Sequence, residues 1–138
     1  MNTSICTSDF LEDLRALAQQ HLPNVELVLV PSVKAWCEAT QAAVQSPFKC
    51  GAALRNRETG RFVVLLAEEI TPDMHASRMA VLRMRPSLND DRRKQLEVPQ
   101  GFVRHLLLHE VAHALDSTRN EEQCDDWAFQ QLERPHAA

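Results

Sequence analysis

The segment HEVAH, from His109 to His113, puts two imidazoles four residues apart and a carboxylate, Glu110, beside the first of them. Residues four apart lie on one face of an α-helix, so both histidines can bind the same metal ion. Neutral imidazole is a preferred ligand of zinc, and a neighbouring glutamate can act as a base toward water. The chemistry that these residues predict is hydrolysis by a metal-activated water molecule.

The residues around this motif predict a helix that is buried within a domain. Apolar side chains cover most of its circumference, unlike the one-sided pattern of a surface helix. A polar side chain buried there without a partner costs free energy, and metal coordination would give the imidazoles partners. Histidines with ordinary hydrogen bonds are the alternative interpretation. The apolar residues are Leu106, Leu107, Leu108, Val111, Ala112, Ala114 and Leu115.

The segment that follows the motif offers a third ligand, Glu121. At about 100° per residue, Cys124, Ala128 and Leu132 lie within about 60° of Glu121 on a helical wheel, so this glutamate points from the apolar face. Asp125 lies about 40° from the same direction. We therefore expect Glu121 to bind the metal and Asp125 to support the ligands.

A shared site requires the chain to reverse after the motif. If one helix continued from His113, Glu121 would lie about 12 Å further along its axis, too far to share a metal ion. Asp116 to Thr118 is the predicted break, although it contains neither glycine nor proline. The prediction depends on the preference of Asp, Ser and Thr for helix caps and turns.

The role of Glu121 has alternatives. Thr118 to Glu121 also fits a capping box, in which the glutamate bonds only to the backbone. Asn120 is an equally good cap and would leave Glu121 free. Glu122 and Asp125 remain alternatives as the third ligand.

Two segments carry a family resemblance. LLLHEVAHALD is similar to the active-site helix of the gluzincin peptidases, and NEEQCD, from Asn120 to Asp125, matches their N-E-x-x-x-D segment. The chain most resembles the small ImmA/IrrE-type metallopeptidases, whose second segment commonly reads E-x-x-A-[DN]-x-[FW]-A. Here EEQCDDWA has Cys124 where alanine is usual. Metzincins fit less well, because they need glycine at Asp116 and histidine at Arg119.

The resemblance implies a zinc-dependent endopeptidase. Glu121 would bind zinc, Asp125 would orient a ligand histidine, and Glu110 would activate water. The substrate would be a protein or peptide, and a DNA-binding regulator by analogy. The alternatives are a non-catalytic zinc-binding regulatory or interaction domain with the same fold, and an effector protease with a host substrate.

The site also needs a donor for the oxyanion that forms during hydrolysis. The chain has no tyrosine, so this role falls to histidine, arginine, a backbone N–H or the metal. His105, one turn before His109, and His75 are the candidates, and packed histidines without a role in catalysis are the alternative interpretation.

Sequence patterns predict the elements that position the site. Apolar spacing indicates a first helix that Ser8 caps and Pro23 ends, and Ser32 is expected to cap a second helix that runs to Gln45. Between them, Val25 to Val30 is rich in β-branched residues and predicts a strand.

The middle of the chain predicts a hairpin and two shorter elements. The hairpin strands are Cys50 to Asn56 and Arg61 to Ala67, because Gly60 suits a turn position with positive φ. Met74 to Arg85 fits a strand or a short helix, and we expect a strand. Ser87 to Leu96 predicts a short, charged helix.

These elements predict an α+β fold, a minimal zincin-like domain. A small, mainly antiparallel or mixed sheet would pack on the N-terminal helix, the motif helix and the C-terminal glutamate helix. The breaker segment Val98 to Gly101 would start the motif helix. A substrate could add as a strand at a sheet edge, with Arg61 to Ala67 or Met79 to Met84 as the candidate edge.

Composition limits the remaining options. The 138 residues, 44% of them hydrophobic, predict one domain, with residues 1–7 and 134–138 as flexible ends. A net charge of −4 with dispersed basic residues argues against direct nucleic-acid binding, and no apolar run is long enough to span a membrane. No oligomeric state follows from the sequence.

The cysteines predict a cytoplasmic chain with reduced thiols. They form no C-x-x-C pair, and the N-terminus lacks the basic and apolar regions of a secretory signal. Each is expected to be a small hydrophobic residue of the core or its margin. They are Cys6, Cys37, Cys50 and Cys124.

Overall fold

A computed structural model describes residues 3–41 and 46–134 as an α+β arrangement of helices around a small mixed sheet. The strands are β1 (Ile5–Cys6), β2 (Glu26–Val30), β3 (Gly51–Arg55), β4 (Phe62–Ala67) and β5 (Glu69–Ile70). The helices are α1 (Leu11–His21), α2 (Val33–Gln41), α3 (Pro72–Leu82), α4 (Asp90–Glu97), α5 (Pro99–Leu115) and α6 (Glu121–Glu133).

The main sheet has the strand order β2-β4-β3. β2 pairs parallel to β4, with Val28 opposite Leu65, and β3 pairs antiparallel to β4, with Ala53 opposite Val64. The mixed sheet and the hairpin are as expected, and Gly60 has a φ of 72° in the turn. The expectation that Arg61 to Ala67 forms an edge is wrong, because β4 is the central strand and hydrogen-bonds on both sides.

The segment expected as a strand, Met74 to Arg85, is helix α3 followed by a turn. Thr71 caps this helix by accepting a hydrogen bond from the backbone N–H of Met74, and Pro72 occupies the first turn, where it needs no donor. His75, Met79 and Leu82 are buried at helical spacing. Met79 to Met84 therefore offers no sheet edge.

The N-terminal segment packs against the rest of the fold from Ile5 onward. Ile5 is buried, β1 pairs with β5, and the Thr7 hydroxyl donates to the carbonyl of Ala67 at 2.7 Å. Ser8 is not the cap of α1, which follows a 3₁₀ turn; its hydroxyl instead lies 3.0 Å from the Cys6 thiol.

The second predicted helix begins as expected, because the Ser32 hydroxyl accepts from the backbone N–H of Ala35 at 3.0 Å. Its expected final residues, 42–45, lie outside the described residues, as do 1–2 and 135–138. The predicted charged helix is α4. All cysteines are free, with Cys6 exposed and Cys37, Cys50 and Cys124 buried.

Helix α5 is the centre of the fold. It packs against α1, α4, α6 and the strands β3 and β4, and 10 of its 17 residues are buried. Pro99 lies in its first turn, and a Cβ at Gly101 would overlap the backbone carbonyl of Gln95. Glycine there lets α4 and α5 approach closely. None of the helices in residues 3–41 and 46–134 has the length and apolarity that a membrane crossing requires.

Candidate metal centre

The break between α5 and α6 forms without glycine or proline. α5 ends at Leu115, and Asp116 adopts extended backbone angles. The Asp116 carboxylate then accepts hydrogen bonds from the backbone N–H and the hydroxyl of Thr118, at 3.0 and 2.6 Å. Arg119 donates back to the carbonyl of Ala112 at 3.1 Å and so satisfies the end of α5. The predicted break is confirmed.

The cap of α6 leaves Glu121 free of the backbone. Asn120 accepts from the N–H of Gln123 at 2.8 Å, and the Gln123 side chain accepts from the N–H of Asn120 at 2.9 Å. This reciprocal pair is a capping box, two residues later than the Thr118 alternative requires. Glu121 is the first residue of α6 and turns its side chain toward α5.

The side chains of His109, His113 and Glu121 meet at one point. The Nε2 atom of His109 is 2.7 Å from Glu121 Oε2, and the Nε2 atom of His113 is 3.1 Å from Glu121 Oε1. One ligand atom from each residue lies within 4.8 Å of the others. Ligand atoms about 2.0–2.2 Å from a tetrahedral metal ion are roughly 3.3–3.5 Å apart, so a small outward movement would fit this group to an ion. The three residues could bind a metal ion.

Protonation supports the same interpretation of the group. Burial alone would lower the pKa of His109, but hydrogen bonds with Asp125 and Glu121 raise it to about 9. The hydrogen bond from His109 lowers the pKa of Glu121 to about 2. His109 and Glu121 therefore hold a proton between the imidazole and the carboxylate. A metal cation at the same place would supply the same positive charge.

Asp125 orients His109. This aspartate is fully buried, and its Oδ1 atom accepts a hydrogen bond from His109 Nδ1 at 2.7 Å. In the imidazolium form Nε2 donates to Glu121, and loss of that proton would free the Nε2 lone pair for a metal ion while Asp125 keeps the proton on Nδ1. Of the alternative third ligands, Asp125 thus bonds the other ring nitrogen, and Glu122, exposed like Glu121, makes no ion pair with His109 or His113.

Arg78 and Arg85 hold Asp125 in turn. Arg78 Nη2 donates to Asp125 Oδ1 and lies 3.2 Å from His109 Nδ1, and Arg85 Nε donates to Asp125 Oδ2 at 2.8 Å. Burial alone would raise the pKa of Asp125, but the hydrogen bond from His109 and the charge of Arg78 lower it. The sequence analysis missed both arginines. Arg78 lies on α3 and Arg85 lies beyond its end, so no periodicity within one element relates the two residues.

Glu110 lies beside the ligands and faces the same cleft. It has no hydrogen-bond or ion-pair partner in the described part of the chain. Burial raises the pKa of its carboxyl, although the nearby His109 and His113 oppose this shift. A carboxylate with a raised pKa and free oxygens can accept a proton from a water molecule in the cleft.

The cleft has two lobes that meet at the ligand group. The larger lobe, about 700 Å³, lies against β3 and is lined by Ala52, Ala53, Leu54 and Arg55 among others. The smaller lobe, about 220 Å³, lies against α3 and is lined by Ser77, Arg78 and Val81 among others. Lys49, His109, Glu110 and Glu121 line both lobes.

The two histidines predicted as oxyanion donors line neither lobe. His105 is 1% exposed and packs on Phe129 with ring centroids 4.4 Å apart. His75 is also buried and packs on Phe102. Both are core residues, so the structure does not bring them to the cleft. Lys49, Arg55 and Arg78 are cationic side chains that line the cleft.

No family model, no curated protein and no solved structure matches this chain. Its function is therefore argued from the geometry of the site.

Proposed function

We propose that this chain is a zinc-dependent peptidase with a minimal zincin-like domain. The observation that carries the proposal is the meeting of His109 Nε2 and His113 Nε2 at the carboxylate of Glu121, with the free carboxylate of Glu110 beside them. Two imidazoles and one carboxylate match the ligand set of catalytic zinc sites, which keep one position open. When bound, the ion would supply Lewis acidity and would lower the pKa of water at that position.

Glu110 is the base in this proposal. Its carboxylate would take a proton from water and then deliver it to the departing amine of the substrate. Two features support the role: Glu110 lines both lobes of the cleft, and burial raises the pKa of its carboxyl, which makes the carboxylate a stronger base. No covalent bond between the protein and the substrate is required.

Strand β3 supports a peptide as the substrate. It is an edge of the described sheet, and it lines the larger lobe beside the ligand group. An extended peptide can hydrogen-bond to a free strand edge and gain affinity from its backbone alone. A peptide bonded to β3 would lie across Glu110. A DNA-binding regulator as the natural substrate and a cytoplasmic location stay predictions.

The proposal is tested by comparing wild-type protein with Glu110→Gln. We expect zinc-loaded wild type to cleave a quenched fluorescent peptide library, a chelator to abolish cleavage, and added zinc to restore it. Glu110→Gln should retain zinc and lose at least about 100-fold in rate, within the range that general acid–base catalysis contributes.

Two results would contradict the peptidase. Equal cleavage by wild type and Glu110→Gln would show that the activity belongs to a contaminant or to another site. Zinc binding by wild type without any cleavage of the library would favour the non-catalytic metal-binding domain.

A further inference from the structure

The smaller lobe of the cleft contains Arg78, which does not line the larger lobe. Its lining combines two cations and two serines with an apolar wall: Lys49, Arg78, Ser46, Ser77, Phe48, Gly51, Val81 and Leu106. The carboxylates in its lining are those of Glu110 and Glu121, which belong to the candidate metal centre. We infer that this lobe binds a carboxylate group of the peptide substrate, next to the bond that is cleaved. The inference rests on the proposed function.

The positive charge of Arg78 is only partly neutralised by its ion-pair partner, Asp125. Arg78 and Arg85 share the single carboxylate of Asp125, so the group keeps a net positive charge. Arg78 donates to Asp125 through one nitrogen, Nη2. Its Nε and Nη1 atoms have no acceptor in the described part of the chain, and its side chain is 15% exposed. A guanidinium with free donors at a cleft wall is suited to a carboxylate.

Lys49 adds a second cation at the junction of the lobes. Its ammonium makes no ion pair or side-chain hydrogen bond with any residue in 3–41 or 46–134. Its charge opposes the effect of burial on the pKa of both Glu110 and Cys50, which indicates that it lies close to both. Lys49 is thus an unpaired charge beside the catalytic carboxylate.

The charges around the centre favour an anion in the smaller lobe. A divalent ion would offset Glu110 and Glu121, which leaves Lys49 and the arginine group uncompensated. The chain as a whole has a net charge of −4, so this positive region contrasts with the rest of the protein. The partly enclosed walls of the smaller lobe strengthen the attraction for a carboxylate relative to an exposed surface.

A substrate can present a carboxylate here in two ways. An aspartate or glutamate side chain beside the scissile bond would make the protein an endopeptidase with acidic preference. A free C-terminal carboxylate would make it a carboxypeptidase. Both use the same contacts with Arg78 and Lys49, so the test must separate them.

The test measures binding by fluorescence anisotropy with zinc-loaded Glu110→Gln, so that no peptide is cleaved. Three labelled heptapeptides are compared: one with a central Glu and an amidated C-terminus, one with a central Gln and an amidated C-terminus, and one with a central Gln and a free C-terminus. We expect one of the two carboxylate peptides to bind about tenfold tighter than the neutral peptide, with the preference reduced by salt.

Lys49→Met and Lys94→Met provide a matched pair of variants. Each removes one lysine charge, but Lys94 is exposed on α4 and lines none of the cleft. Lys49→Met should abolish most of the carboxylate preference, and Lys94→Met should keep it. Arg78→Gln should also lose the preference, with bound zinc measured separately because Arg78 contacts the ligand support.

The inference is overturned if all three peptides bind equally, if none binds, or if Lys49→Met keeps the preference. Its failure is distinct from failure of the proposed peptidase. If peptides with a carboxylate bind more tightly but wild type cleaves none, the smaller lobe binds carboxylates and the peptidase proposal is wrong. If wild type cleaves peptides without any carboxylate preference, the peptidase proposal stands and the carboxylate inference is wrong.

Discussion

His109 and Glu121 face each other across the break between α5 and α6, with the Nε2 atom of the histidine 2.7 Å from the Oε2 atom of the glutamate. The contact joins two helices that would hold these residues far apart if they were continuous. It therefore depends on the turn from Asp116 to Asn120, and the candidate metal-binding group exists only in the folded chain.

The support that Asp125 gives to His109 can be tested by Asp125→Asn. The amide keeps the size of the side chain but removes the charge that binds Arg78 and Arg85 and holds the Nδ1 proton. We expect zinc affinity to fall about 10–100-fold, as for other residues that orient metal-binding histidines. Competition with a chromophoric chelator measures this change.

Asp126→Asn is the matched control for that variant. Asp126 is adjacent in sequence but accepts a hydrogen bond from Ser87 away from the ligands. It should leave zinc affinity unchanged within about twofold, since it orients no ligand. Equal zinc affinities for Asp125→Asn and Asp126→Asn would show that Asp125 does not support the metal ligands.

His105 predicts a dependence of stability on pH. Its ring is buried, neither nitrogen has a hydrogen-bond partner among the described residues, and Asp125 Oδ1 lies 3.9 Å from Nε2. Burial lowers the pKa of His105 to about 3 in the folded protein, from 6.5 in the unfolded chain. The unfolded chain therefore gains a proton that the folded protein excludes as pH falls from 6.5 toward 3. Titration of His105 therefore lowers the free energy of unfolding as pH falls from 6.5 toward 3, and it has no effect above pH 6.5.

His105→Leu should remove this dependence. Relative to wild type, its free energy of unfolding should improve by up to about 1.4 kcal/mol for each pH unit below 6.5, measured by urea denaturation of the metal-free protein. At pH near 8 the ring is neutral in both states, so the comparison there gives the packing effect alone. A difference between the proteins that is constant with pH would contradict the burial of a neutral histidine.

Gly101→Ala should destabilise the protein even though alanine favours helices. Its Cβ would overlap the backbone carbonyl of Gln95, so α4 and α5 would have to separate. We expect a loss of about 1–3 kcal/mol in the free energy of unfolding, which outweighs the gain of about 1 kcal/mol in helix propensity. Thermal denaturation measures it, and a stabilised variant would contradict the close packing of the two helices.

The candidate ligands were predictable because they depend on local periodicity. The four-residue spacing of His109 and His113 and the apolar face shared by Glu121 are properties of single helices. The break between those helices follows from the preference of short polar side chains for caps. These relationships need no knowledge of the rest of the fold.

The arginine support was not predictable in the same way. Met74 to Arg85 fits helix and strand periodicity, and the deciding signal, Thr71 followed by Pro72, lies upstream of it. The order of the strands in the sheet could not be predicted either, because the parallel pairing of β2 with β4 joins segments far apart in sequence. Periodicity shows which face of a strand is buried but not which neighbours it takes.

The most direct test of the metal centre is zinc binding by Glu121→Gln beside its matched control Glu122→Gln. Both variants remove one carboxylate from the first turn of α6, but only Glu121 contacts His109 and His113. We predict one zinc ion per wild-type chain, affinity reduced at least about 100-fold in Glu121→Gln, and wild-type affinity in Glu122→Gln. Equal zinc affinity and stoichiometry in all three proteins would contradict the three-ligand site.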